Sequence, residues 1–194
     1  MALTKILDGG TNFTGATSAM IAISRSVSTS TVTSVDFDNL STDFDTFYIT
    51  YFIKTVTDGG GPRFRFLDSS GSAISGTNNY QYYYDAEGSA TTSNGNTLLH
   101  IGPAIGSGNH EGTSGYYYLN NRNYASNATN KYPACIIGGY TSMNDGGNGQ
   151  GGFLGGQLSP DTGQQLIRGF SMFASDGNGL ESHDISLYAL ERPS

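Results

Sequence analysis

Apolar positions recur at every second residue along much of the chain, the period of a strand whose successive side chains face opposite sides of a sheet. The clearest stretch runs from Thr46 to Val56. There Phe47, Ile49, Tyr51 and Ile53 share one face, and Tyr48, Thr50, Phe52 and Lys54 share the other. One wholly apolar face and one mixed face predict a central strand. Arg63-Phe64-Arg65-Phe66-Leu67 alternates in the same way, and the glycines of Asp58-Gly59-Gly60-Gly61-Pro62 can make the turn between the two. The pair is expected to form a hairpin.

Strands are also expected at Met20 to Ser26, Thr31 to Phe37, Asn79 to Asp85, Thr97 to Ile101, Gly115 to Asn120, Pro133 to Thr141, Gln165 to Ala174 and Asp184 to Leu190. Separators such as Ser69-Ser70-Gly71-Ser72, Ser93-Asn94-Gly95-Asn96, Asn144-Asp145-Gly146-Gly147 and Asp176-Gly177-Asn178-Gly179 carry turn chemistry. Many short strands divided by turns predict an all-β fold, a two-sheet β-sandwich of jelly-roll type. Gly138 to Gly156 holds four Gly-Gly pairs with little apolar content and is expected to be a long loop or a flat surface excursion. Residues 1–30 are expected to be an N-terminal arm and first strand region, the arm reaching to about Thr14, and residues 31–194 a single sandwich domain.

Composition sharpens the fold class. Gly, Ser, Thr and Asn number 28, 23, 20 and 15 of the 194 residues, an excess of turn formers and short polar side chains that disfavours helical bundles and doubly wound enzymes. The 13 Tyr and 10 Phe supply bulk for a core, which disfavours disorder. A formal charge of -7, with 9 Lys and Arg against 16 Asp and Glu, provides no footprint for phosphate backbones, so nucleic acid is not an expected partner. No apolar run reaches the roughly 20 residues of a membrane span, and Met1 to Asp8 lacks the layout of a signal peptide. No membrane partner is expected.

Candidate chemistry is sparse. His100, His110 and His183 match no metal or hydrolase spacing, and no Gly-x-Ser-x-Gly elbow or phosphate loop occurs. Cys135 lies in the apolar run Ala134 to Ile137 and is expected to be a small buried hydrophobe. Asp176-Gly177-Asn178-Gly179-Leu180-Glu181 with Asp184 supplies oxygen ligands at a spacing that calcium can use, against the plainer alternative of a turn between strands. A polysaccharide-degrading enzyme would need two carboxylates about 5 to 9.5 Å apart. The four Glu and twelve Asp lie mostly in turns. No enzyme activity and no cofactor are expected.

The tyrosines stand out: Tyr80, Tyr82, Tyr83 and Tyr84, then Tyr116, Tyr117 and Tyr118. Consecutive strand residues face opposite ways, so part of each run must lie outside one core. Tyr82, Tyr84, Tyr116, Tyr117 and Tyr118, with Asn120, Asn121 and Arg122, are the candidates for a subunit interface or a sugar-stacking surface, because rings with hydrogen-bonding tips suit both.

Val35-Asp36-Phe37-Asp38-Asn39-Leu40-Ser41-Thr42-Asp43-Phe44-Asp45-Thr46-Phe47-Tyr48-Ile49, followed by the Arg63 to Asp68 strand and Ser69-Ser70-Gly71-Ser72, resembles a module in virion proteins of tailed bacteriophages. Gly169-Phe170-Ser171-Met172-Phe173, a Gly-rich turn and Ile185-Ser186-Leu187-Tyr188-Ala189-Leu190 are similar to the closing hairpin of such modules. Met1-Ala2-Leu3-Thr4-Lys5-Ile6 is similar to the starts of structural proteins in phages of marine bacteria. The resemblance implies a non-enzymatic structural protein, assembled in the host cytoplasm and displayed on the virion as a capsid decoration or short fibre protein. It implies a homotrimer that contacts other virion proteins of the capsid or tail. The alternative is a tail-fibre or receptor-binding module that recognises host-surface glycan.

Overall fold

The structure is a computed structural model that describes residues 20–41, 43–86, 89–105, 107–108, 111–121, 134–143, 149–159 and 167–190. The arm expected up to Thr14, His110 and Arg122 lie outside the described residues.

The described residues form twelve strands and no helix. They are β1 (Met20–Ser28), β2 (Ser34–Phe37), β3 (Thr46–Thr55), β4 (Pro62–Asp68), β5 (Tyr80–Ala86), β6 (Ser89–Asn96), β7 (Leu99–His100), β8 (Gly112–Asn120), β9 (Cys135–Met143), β10 (Gly149–Leu158), β11 (Ile167–Ala174) and β12 (Leu180–Leu190). An eight-stranded sheet runs β1-β12-β3-β8-β9-β10-β5-β6, and a four-stranded sheet runs β2-β11-β4-β7. Every pairing is antiparallel. The chain passes back and forth between the sheets, so that β1-β12-β3-β8 faces β2-β11-β4-β7 in the strand order of a jelly roll. Two hairpins, β5–β6 and β9–β10, are additions that extend the large sheet beyond β8.

β3 is central, between β12 and β8, as its two faces require. Phe47, Ile49, Tyr51 and Ile53 are buried against the small sheet. On that sheet Phe170 stacks with Phe37 at 4.9 Å and with Phe64 at 5.2 Å. Across the sandwich Tyr80 stacks on Phe66 and its hydroxyl donates to the Ile74 carbonyl at 2.8 Å.

Three expectations need correction. β3 and β4 are not a hairpin, because both neighbours of β3 are β12 and β8, whereas β4 pairs with β11 and β7 in the other sheet. The glycines of 59–61 carry the chain around the corner of the sandwich: Gly59 has φ +81°, and a Cβ on Gly61 would strike the Pro103 carbonyl. Ser93-Asn94-Gly95-Asn96 is the end of β6 rather than a separator. Gly138 to Gly156 is not a long loop, since it supplies most of β9 and β10 in the middle of the large sheet. Crowding at the inner face explains the glycines there. A Cβ on Gly138 would overlap the Tyr116 carbonyl oxygen, one on Gly152 the Asp85 carbonyl oxygen, and one on Gly156 would come within 2.6 Å of Leu99.

Candidate functional site

The two faces of the large sheet differ in kind. Its inner face is the core. Its outer face is lined by rings, and all nine exposed large hydrophobics among the described residues lie on it: Met20, Val27, Phe52, Tyr83, Tyr116, Tyr118, Ile137, Met143 and Phe153. Ile137 and Phe153 are each 61% exposed, the most of this group. Strand register assembles these residues from distant parts of the chain. One row across the sheet reads Tyr188, Tyr48, Tyr118, Ile137, Gly155, Tyr83. The next reads Ser186, Thr50, Tyr116, Gly139, Phe153, Asp85.

Tyr48 sits at the middle of a tyrosine cluster, with ring centroids 5.1 Å from Tyr118, 6.1 Å from Tyr116 and 6.2 Å from Tyr188. Partial burial, and then its neighbours Tyr118, Tyr116 and Tyr188, push the Tyr48 phenol above its ordinary pKa. Charge is confined to the margins. On the outer rows of β3, β8, β9 and β10 the one charged residue is Lys54, near the end of β3 and 2.9 Å from Glu181. Arg25 and Asp184 pair at 2.6 Å near the β1 edge. Depletion of charge at the centre, with aromatic enrichment, is the composition of a protein interface.

The glycines of this face differ from those beneath it. A Cβ at Gly155 or Gly149 would meet nothing within 4 Å, and at Gly151 and Gly139 it would make only ordinary contacts, the nearest at 3.5 and 3.4 Å. The packing of the chain therefore does not require glycine at these four positions. They leave shallow gaps: one is lined by Tyr116, Gly139, Gly151 and Phe153, another by Tyr83, Ile137, Gly155, Gln81, Asn94 and Gln157.

The residues singled out from the sequence divide between surface and interior. Tyr116 and Tyr118 are exposed on the outer face. Tyr117 points the other way, fully buried, stacked on Tyr51 at 5.5 Å and donating to the Ile101 carbonyl at 2.8 Å. Asn121 is also fully buried, its amide donating to the Ile167 carbonyl at 3.0 Å. Both hold the fold and are not available to a partner. Asn120 is half-buried at the end of β8. Tyr82 and Tyr84 face inward and are half-buried, with ring centroids 5.0 and 6.5 Å from His100. Burial, and then the Arg63 charge, lowers the His100 pKa to about 4. Tyr48, Phe52, Ile137, Phe153 and Tyr188 were not singled out. The odd-numbered exposure of Ile137 and Phe153 is masked by flanking glycines, and the row they join exists only once the register is known.

The carboxylates of the Asp176 to Asp184 segment diverge. Asp176 accepts hydrogen bonds from Thr57 and from the Asn178 backbone, Glu181 pairs with Lys54, and Asp184 with Arg25. No group of three or more His, Cys, Asp or Glu side chains suited to a metal occurs among the described residues. Cys135 is half-buried on the outer side of β9, and burial raises its thiol pKa.

Fold and face together define an all-β sandwich with one flat, aromatic, nearly uncharged sheet surface. No family model, no curated protein and no solved structure matches the chain.

Proposed function

We propose that the chain is a non-enzymatic structural protein of a phage virion, displayed on the particle as a capsid decoration or short fibre protein, and that the outer face of its large sheet is the surface through which it docks on a neighbouring protein subunit. One observation carries the docking role: every exposed large hydrophobic residue among those described lies on that face. Exposed rings and aliphatic side chains gathered on one face mark an interaction site. The virion setting rests on the resemblance of the Val35 to Ile49 stretch and the closing strands to phage virion modules. That resemblance also implies a homotrimer and contacts with capsid or tail proteins.

The test is immunogold labelling and mass spectrometry of purified virions. The protein should be found at a fixed copy number on the particle surface. Virions that lack it would refute the proposal.

A second reading, recognition of host-surface glycan, is favoured by the gap over Gly155, where the Tyr83 ring stands beside the side-chain amides of Gln81, Asn94 and Gln157. Aromatic faces with adjacent amides can stack on and hydrogen-bond a sugar. Particles carrying Tyr83→Ala should then assemble normally and adsorb poorly; normal adsorption would dismiss this reading.

A further inference from the structure

The outer face of the large sheet sets rings to either side of one strand, with a glycine gap at Gly155 level with Tyr118. β9 lies midway in the run β3-β8-β9-β10-β5. On its β8 side stand Tyr116 and Tyr118, with Tyr48 behind them; on its β10 side the exposed Phe153 stands between Gly151 and Gly155, with Tyr83 behind. Ile137, highly exposed, stands on β9 itself.

We infer that this face seats a second copy of the chain, face to face, about a two-fold axis running along β9. The inference rests on the docking role proposed above and names its occupant. A two-fold along β9 exchanges β8 with β10 and β3 with β5, so Tyr118 of each copy lies over Gly155 of the other, Tyr116 over Phe153 and Tyr48 over Tyr83, and Ile137 meets its own counterpart. A surface that carries both the projections and the gaps they fill is complementary to itself, the condition for an isologous pair. The outer glycines gain a reason: they are not needed by the fold, as the open space at Gly155 shows, but a side chain there would hold the rings of the partner away. Charge does not oppose the pairing: Lys54 is paired with Glu181 and Arg25 with Asp184, and Asp85, on the outer row of β5, falls opposite the uncharged Thr50 of the other copy.

The size is sufficient. With strands about 4.8 Å apart and a rise of about 3.3 Å per residue, five strands of about eight residues present roughly 24 by 26 Å. That is about 600 Å² of flat face per copy and about 1,200 Å² across the pair, the lower end of the range for stable specific interfaces. A single flat face that pairs with itself closes at two copies, which departs from the threefold arrangement implied by the resemblance to phage modules.

The experiment uses the purified full chain. Sedimentation equilibrium should give a dimer mass that dissociates on dilution. At a dilution where both proteins are monomeric, Gly155→Val should keep or raise the thermal midpoint, since a β-branched residue fits a strand with open space above it, and by sedimentation it should weaken dimerisation at least tenfold. Ile137→Cys in a Cys135→Ser background should oxidise to a covalent dimer, whereas Val27→Cys in that background, at the edge of the sheet, should not. Any of four results overturns the inference: a monomer at high concentration, a trimer mass, a Gly155→Val dimer as tight as the parent, or a monomer whose glycan binding is what Gly155→Val removes. The two proposals fail separately. A monomer found on virions would sink the dimer and leave the virion role, and a dimer absent from virions would do the reverse.

Discussion

Tyr51 and Tyr117 lie side by side in the core, and both hydroxyls donate to one acceptor, the Ile101 carbonyl, at 2.6 and 2.8 Å. Their removal should be strongly non-additive. Tyr51→Phe or Tyr117→Phe alone deletes one hydroxyl but leaves the carbonyl satisfied by the other, so each should cost about 1 kcal/mol, the usual net value of a hydrogen bond. The double variant leaves a buried carbonyl with neither donor, and an orphaned buried acceptor costs about 1–3 kcal/mol on its own. The expected loss is therefore about 3–5 kcal/mol, against about 2 kcal/mol for simple addition. Urea unfolding of the parent, the two singles and the double measures this directly, provided the slope with denaturant is unchanged across the four. A double variant within about 0.5 kcal/mol of the summed singles would refute the shared-acceptor account.

Gly138→Ala should abolish folding or cost several kcal/mol in the same assay, because its Cβ overlaps the Tyr116 carbonyl, and backbone cannot move aside as a side-chain tip can. Alkaline titration should destabilise the protein from about pH 10 upwards. Burial raises the phenol pKa of Tyr51, Tyr80, Tyr117 and Tyr140, so above that pH the unfolded chain loses protons that the fold retains, and stability falls with rising pH; thermal scans between pH 8 and 11 read it. On the acid side the His100 pKa near 4 means that the unfolded chain, titrating near 6.5, takes up a proton first. Stability should fall between about pH 6.5 and 4, and His100→Gln should flatten that limb. Millimolar calcium should leave the thermal midpoint unchanged, because Asp176, Glu181 and Asp184 each serve a different partner; a rise would restore the calcium reading of that turn.

What could be read from residues alone was local and two-periodic. The faces of β3 follow from alternation, and the structure has them; alternation also splits Tyr116, Tyr117 and Tyr118 between two faces but does not say which face is the core, and Tyr117, an interface candidate by its sequence, is the one that turns inward. β6 and β10 have no such signal: Ser-Ala-Thr-Thr-Ser-Asn-Gly-Asn and Gly-Gln-Gly-Gly-Phe-Leu-Gly-Gly-Gln-Leu carry the composition of turns. They are strands because neighbours supply the pairing and crowd out larger side chains, which is a tertiary cause. The aromatic outer face was half visible for the same reason. Its tyrosines are conspicuous, but Tyr48, Tyr118, Ile137 and Tyr188 come from four strands whose adjacency is fixed by topology, and no window of sequence contains it. The supposed β3–β4 hairpin failed because a glycine-rich turn of that length can equally pass between sheets.

The position of β12 has a consequence for how the protein is made. Residues 180–190 fill the slot between β1 and β3, so the earliest strand of the large sheet pairs with the latest. At the usual 5–20 residues per second, β1 waits on the order of ten seconds or more after leaving the ribosome before its partner is synthesised. Throughout that interval β3 also lacks a neighbour along one edge, and its apolar face has no finished sheet to sit in. Closure of the large sheet is thus held back until residues 180–190 have been made, and a chain that stops short of Leu180 leaves β1 without its partner and β3 with one bare edge, the kind of edge that invites pairing with other chains.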